Sequence, residues 1–89
     1  MYECHITILG DPTKIEDVLK DTNWHFSKID GDPYLGSGVK CYATNNYSKD
    51  EYALSDCLLE MNTIVAYLKG QKLEVIRMKV EDILYDKRF

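Results

Sequence analysis

Two short patterns in this sequence combine residue types that could bind or act on a phosphate. His5-Ile6-Thr7 has the form His-x-Thr, and His25-Phe26-Ser27 has the form His-x-Ser. On a β-strand, residues two apart share a face and lie about 7 Å apart, so each pattern presents an imidazole beside a hydroxyl. Both groups hydrogen-bond to anionic oxygens and could reach one phosphate. The chemistry depends on strands that hold these side chains at an exposed surface.

The first pattern lies in a segment that alternates between apolar and polar residues. Even-numbered positions from 2 to 8 are apolar, and the odd-numbered ones are Glu3, His5 and Thr7. A period of two is typical of a half-buried strand. We therefore expect His5 and Thr7 on the solvent side of the opening strand.

The rest of the chain alternates between helical and strand patterns. Asp11-Pro12 predicts a helix start, the glycine-rich segment 30–38 predicts a long hairpin connection, and Ser48-Lys49-Asp50-Glu51 predicts a capping box. The later helix has one broad apolar stripe: Leu54, Cys57, Leu58, Met61, Ile64, Val65 and Leu68. The predicted elements are strands over 2–8, from 24, over 39–44 and over 73–81, with helices over 12–20 and from the capping box to Gly70.

This order of elements predicts an α+β domain of the ferredoxin-like βαββαβ type. A single domain over residues 1–89 would hold a four-stranded antiparallel sheet with both helices on one face. Right-handed crossovers place the first strand between the third and the fourth. In the last strand, Ile76, Met78 and Val80 should face the helices.

The uncovered sheet face then collects the candidate ligand-binding residues, which are His5, Thr7, Lys40, Tyr42, Arg77 and Lys79. Cationic side chains could hold a nucleotide or another anion, with Tyr42 as a stacking surface. A solvated sheet face also requires polar residues without any ligand. In that alternative, Glu3 and Glu81 neutralise the bases as cross-strand pairs.

Composition narrows the classes of function. A net charge of −4 over 89 residues argues against nucleic-acid binding. We expect no cofactor and no metal site, because no set of oxygen ligands follows Asp30 and Asp32. Three cysteines without paired spacing are expected to be buried thiols. The absence of a signal pattern and of a long apolar run predicts a cytoplasmic protein that does not enter membranes.

Two resemblances extend these expectations. His5-Ile6-Thr7 resembles one half of the motif of two-histidine phosphoesterases, which implies acid and base catalysis by histidines and, in so short a chain, a dimer. The segments 26–42 and 77–81 look like those of small uncharacterised phage and bacterial proteins. We expect a homo-oligomeric, non-enzymatic module that binds an anionic ligand such as a nucleotide. The alternatives are an accessory protein that binds and inhibits a host protein and a dimeric phosphoesterase.

Overall fold

The computed structural model describes residues 1–30 and 39–84, which form six elements. They are β1 (Tyr2–Leu9), α1 (Pro12–Leu19), β2 (His25–Asp30), β3 (Val39–Tyr47), α2 (Leu54–Gly70) and β4 (Glu74–Asp82). The strands form one sheet of order β2-β3-β1-β4, in which each neighbouring pair is antiparallel. The prediction of an α+β domain is confirmed, and β1 lies between β3 and β4 as expected.

The core is built on the even-numbered side chains of β1. Cys4, Ile6 and Ile8 are fully buried and belong to one cluster with residues of both helices, among them Ile15 and Met61. Burying an isoleucine side chain stabilises the fold by about 1.5–3 kcal/mol. All three cysteines are buried, which confirms their predicted role as core residues.

The turn from β1 to α1 follows the predicted pattern. Gly10 has a φ of 152°, which side chains rarely allow. The Asp11 carboxylate then accepts a hydrogen bond of 3.2 Å from the Thr13 N–H, and Pro12 opens the helix. Asp11 therefore satisfies one of the amide groups that the first helical turn leaves unpaired.

The predicted capping box before α2 is wrong. The Ser48 carbonyl accepts a hydrogen bond from the Tyr52 N–H at 2.9 Å, which closes a single turn, and Tyr52 then packs on the core. The helix begins later, where the Asp56 carboxylate accepts a 2.8 Å hydrogen bond from the Ala53 N–H. A capping interaction is present, but it joins Ala53 and Asp56, because the packing of Tyr52 places the start of the helix later in the chain.

The predicted helix-facing set on β4 needs correction. The pairing of β1 with β4 shifts between Thr7 and Ile8, so that Val75, instead of Ile76, lies opposite Ile8 and packs on the core. Ile76 is 38% exposed. Met78 and Val80 lie opposite Ile6 and Cys4 on the helix side as predicted, although Met78 is 48% exposed. A β-bulge of this kind inserts one residue and cannot be recognised from alternation alone.

The long hairpin connection predicted from the glycine-rich segment lies almost wholly in residues 31–38, outside the described residues. Its two ends are described, because Asp30 pairs with Val39 at the last position of the β2–β3 ladder. The antiparallel pairing of these two strands agrees with a hairpin.

Candidate anion-binding site

Strand pairing aligns the polar side chains of the uncovered sheet face into three rows. The first row holds Ser27, Tyr42, Thr7 and Arg77; the second holds His25, Thr44, His5 and Lys79; and the third holds Asn46, Glu3 and Glu81. The first two rows hold one residue from each strand and the third has none from β2; neighbouring members of a row are about 5 Å apart. The residues predicted to act together are therefore brought together by the register of β1 with its two neighbours.

A small cavity, called here the open-face cavity, lies between the first and second rows. It has a volume of about 90 Å³ and is lined by His5, Thr7, Tyr42, Arg77 and Lys79. Five of the six residues proposed from the sequence meet there. Since one water occupies about 30 Å³ in the liquid, this volume suits a single phosphate or carboxylate group and is too small for a nucleotide.

Lys40 is the one predicted ligand-binding residue that does not line the open-face cavity. It is only 2% exposed, and it lies opposite Leu9, beyond the first row. Alternation predicts the side of a strand on which a residue lies, but it does not predict how deeply the residue is buried. The expectation that Lys40 forms part of the exposed polar surface is therefore wrong.

The His5 ring is held in place by neighbours on both of its nitrogens. Nε2 lies 3.0 Å from Glu3 Oε1 and 3.8 Å from Glu81 Oε1, and Nδ1 lies 3.4 Å from Thr44 Oγ1. A carboxylate can only accept, so in the neutral imidazole Nε2 donates to Glu3 and Nδ1 accepts from the Thr44 hydroxyl. His5 therefore forms a wall of the cavity, and its donor is already used.

The two cations of the cavity differ in their partners. Lys79 Nζ lies 2.6 Å from Glu81 Oε1. The hydrogen bond and charge of Lys79, with smaller contributions from His5 and Arg77, lower the pKa of Glu81. Arg77 forms no ion pair with any residue in 1–30 or 39–84. Glu81 thus neutralises Lys79 of its own strand, whereas the alternative interpretation expected cross-strand pairs. Arg77 has no such partner among the described residues.

The second sequence pattern lies in the same rows as the first but outside the cavity. His25 pairs with Thr44 and Ser27 with Tyr42, which are also the partners of His5 and Thr7 on the other side of β3. Two strand spacings, or about 10 Å, separate the two patterns. Neither His25 nor Ser27 lines the open-face cavity.

A larger cavity on the helix side, called here the helix-side groove, was missed by sequence reasoning. Its volume is about 510 Å³, and its walls include Trp24, Tyr47, Tyr67, Asp21 and Glu60. Trp24 and Tyr47 are buried and stack edge to face with ring centroids 6.4 Å apart. The groove forms where α2 passes the turn before β2, and no local pattern indicates that approach.

No family model matches this chain, and no curated protein matches it. Within residues 1–30 and 39–84, no group of three or more His, Cys, Asp or Glu side chains could hold a metal ion. In the same part of the chain, no helix is long and apolar enough to cross a membrane.

Proposed function

We propose that the protein is a non-enzymatic binding module that holds the anionic group of a small ligand in the open-face cavity. The observation that carries this proposal is the lining itself, in which Arg77, with no ion pair to a described residue, stands beside Lys79 and two hydroxyl groups. A cation without a partner on a polar surface is available to an incoming anion. Because the protein has a net charge of −4, it has no general attraction for anions, so an anion would bind specifically at this local concentration of cations.

Each wall of the cavity has a separate role in the proposed complex. Arg77 offers a planar fork that matches two oxygens of a phosphate or carboxylate. Thr7 and Tyr42, which are neighbours in the first row, offer hydroxyl donors. The cavity admits only the anionic group, so the rest of a nucleotide would lie over the surface, where the Tyr42 ring could stack on a base.

We further propose that the domain has the ferredoxin-like arrangement. Its support is the order of elements, βαββαβ, together with the strand order β2-β3-β1-β4. In that arrangement both helices cover one face of the sheet and leave the other free for ligands. The polar rows described above occupy the free face.

Calorimetric titration with inorganic phosphate and then with a nucleoside monophosphate tests the proposed function. A hydrogen bond to a charged group contributes about 1.5–3 kcal/mol, so Arg77→Gln should weaken phosphate binding about tenfold or more. Lys14→Gln removes the same charge from exposed α1 and should leave the affinity unchanged. Equal losses in both variants, or undiminished binding by Arg77→Gln, would contradict a specific site.

A phosphoesterase is the second candidate, and the shared rows of the two His-containing patterns favour it. His5 and His25 flank Thr44 in the second row, so one chain presents two histidines as potential acid and base. Hydrolysis of a 2′,3′-cyclic nucleotide would be abolished by His5→Ala and by His25→Ala. Retention of hydrolysis in either variant, or absence of hydrolysis in the wild type, excludes a phosphoesterase. His25→Ala should bind phosphate as the wild type does, because His25 does not line the open-face cavity.

A further inference from the structure

β4 is an edge strand whose outer backbone groups can be assigned. Of the described strands, only β1 pairs with it. Met1 and Ile83 exchange two hydrogen bonds, of 3.2 and 2.8 Å, at the end of the β1–β4 ladder. Hydrogen-bonded and non-hydrogen-bonded pairs alternate along an antiparallel ladder. The N–H and C=O groups of Met78, Val80 and Asp82 therefore point away from β1, toward the edge that no described strand covers.

An apolar surface runs beside this free edge. A cavity of about 310 Å³ between α2 and β4 is lined almost entirely by apolar side chains, including Leu54, Leu58, Met78 and Val80. Leu54 is 47% exposed and Leu58 is 44% exposed, although both belong to the predicted core stripe of α2. Apolar side chains beside an unpaired strand edge are typical of a surface that pairs with another chain.

The other edge of the sheet contrasts with β4. The side chains of His25, Ser27 and Lys28 on β2 are exposed and polar or charged. Charged and polar residues protect an edge strand from pairing with another chain. β4 also carries exposed charges, but within the described part of the sheet it is the edge beside which the exposed Leu54 and Leu58 of α2 lie.

The charges of β4 select the occupant of this edge. In an antiparallel pair of two β4 strands with Lys79 opposite itself, Arg77 of each copy faces Glu81 of the other. The same register places Met78 opposite Val80, which are residues with outward backbone groups and apolar side chains. If Met78 were opposite itself instead, Arg77 would face Lys79 in both halves. Only the first of these two registers is complementary in charge.

Two further points favour the register centred on Lys79. The two facing Lys79 side chains are each neutralised by Glu81 of their own strand, at 2.6 Å. A register centred on Val80 would place Lys79 opposite Glu81, but it would also place Met78 opposite Asp82, which sets an apolar side chain against a carboxylate. Of the three registers, the one centred on Lys79 is thus complementary both in charge and in its apolar pairs.

We propose that this surface binds a second copy of the chain through antiparallel β4–β4 pairing centred on Lys79. The two sheets then form one continuous eight-stranded sheet, and the two α2 helices meet on the same side across Leu54 and Leu58. Two Met78–Val80 pairs exchange four backbone hydrogen bonds, two per pair. The backbone pairing does not involve the anion site, because Met78 and Val80 do not line the open-face cavity; Arg77 does line it, so Glu81 of the second copy and an anion would share that guanidinium.

Sedimentation equilibrium of the full chain tests the proposal. The expected mass is twice 10.3 kDa. Met78→Pro removes an outward N–H and leaves the pairing with β1 intact, so a folded monomer is expected where the wild type is dimeric. Met78→Leu keeps the N–H and should remain dimeric. A wild-type monomer, or a dimer that Met78→Pro does not weaken, overturns the proposal and leaves the edge to a different protein.

A charge exchange keeps the test decisive if the proline variant does not fold. Arg77→Glu alone and Glu81→Arg alone should each weaken the dimer at least tenfold, because like charges then face one another. The double variant restores the complementary pairs and should recover dimerisation. Failure of the double variant to recover the dimer contradicts this register. Phosphate binding is measured separately from dimerisation, and Met78→Pro should still bind phosphate.

Discussion

The open-face cavity and the helix-side groove differ in size, in lining and in how the chain builds them. The groove is more than five times larger, at about 510 Å³ against about 90 Å³. Its charged lining residues are Asp21 and Glu60, whereas those of the open-face cavity are Arg77 and Lys79. The small cavity is made of residues that point away from the core. The large groove is walled by residues that also hold the core together.

Volume alone therefore does not identify a functional site. Trp24 and Tyr47 already make packing contacts in the groove, so their presence is explained by stability. The presence of Arg77 is not explained by stability, because none of the described contacts accounts for a cation at that place in the first row. Substitutions at the groove should therefore change stability, and substitutions at the open-face cavity should change binding.

The largest expected effect is on stability, at a wall of the groove. Tyr47 packs against Trp24 and against Tyr52, with ring centroids 4.8 Å apart in the second pair. Tyr47→Ala should lower the free energy of unfolding by about 3–5 kcal/mol in urea denaturation. Tyr67→Ala removes the same type of side chain from an exposed position on α2 and should cost less than about 1 kcal/mol. Because Tyr67 also lines the groove, similar costs at both positions would contradict the assignment of Tyr47 to the core.

The next effect is a loss of stability at high pH. Burial, with a smaller contribution from Glu60, raises the pKa of Tyr47 to about 12 from an ordinary value of 10.0. Burial and the neighbouring Cys57 thiol raise the pKa of Cys4 to about 11 from 9.0. Both groups ionise more readily in the unfolded chain, so their contribution is complete below pH 9 and is lost as the pH rises toward 11 and 12.

Urea denaturation between pH 8 and pH 11 should show this loss, at about 2 kcal/mol. Tyr47→Phe keeps the ring but removes the ionising hydroxyl, so its stability should fall less steeply above pH 10. The Asn45 amide, which donates to the Tyr47 hydroxyl at 3.1 Å, loses a partner in this variant, and a constant offset at all pH values is expected. A slope identical to that of the wild type would exclude Tyr47 as a source of the pH dependence.

The strands and the core could be predicted from the sequence because they follow from periodicity. Cys4, Ile6 and Ile8 alternate with polar residues, and all three are buried. The position of β1 between two neighbours followed from the handedness of crossovers. Five cavity residues were therefore found from alternation and strand order.

Features that depend on the distance between elements could not be predicted. Nothing in the local pattern of Lys40 distinguishes a buried lysine from an exposed one. The bulge that turns Ile76 outward and the late start of α2 at Leu54 both come from tertiary packing. Glu81 was expected to neutralise a cation across strands, but its partner is Lys79, two residues away on the same strand.

A smaller effect compares one hydroxyl from each cavity. Thr7→Val is nearly isosteric and removes a donor from the open-face cavity, so phosphate affinity should fall about three- to tenfold, as for one hydrogen bond. Thr63→Val makes the same change in the helix-side groove, where the Thr63 hydroxyl donates to the Leu59 carbonyl. Its phosphate affinity should equal that of the wild type. Calorimetric titration of both variants measures these affinities. If only Thr63→Val weakened binding, the anion site would be the helix-side groove and not the open-face cavity.

The smallest expected effect is a gain, and it concerns the carboxylate that competes with the ligand. Glu81 pairs with Lys79 and lies within the field of Arg77, which both lower its pKa and keep it ionised at neutral pH. An anion in the cavity meets this charge, so Glu81→Gln should strengthen phosphate binding about two- to threefold at low ionic strength, with the gain reduced by added salt. Glu51→Gln removes an exposed carboxylate on the turn before α2 and should have no such effect. If Glu81→Gln weakens binding, the carboxylate positions Lys79 for the ligand instead of competing with it.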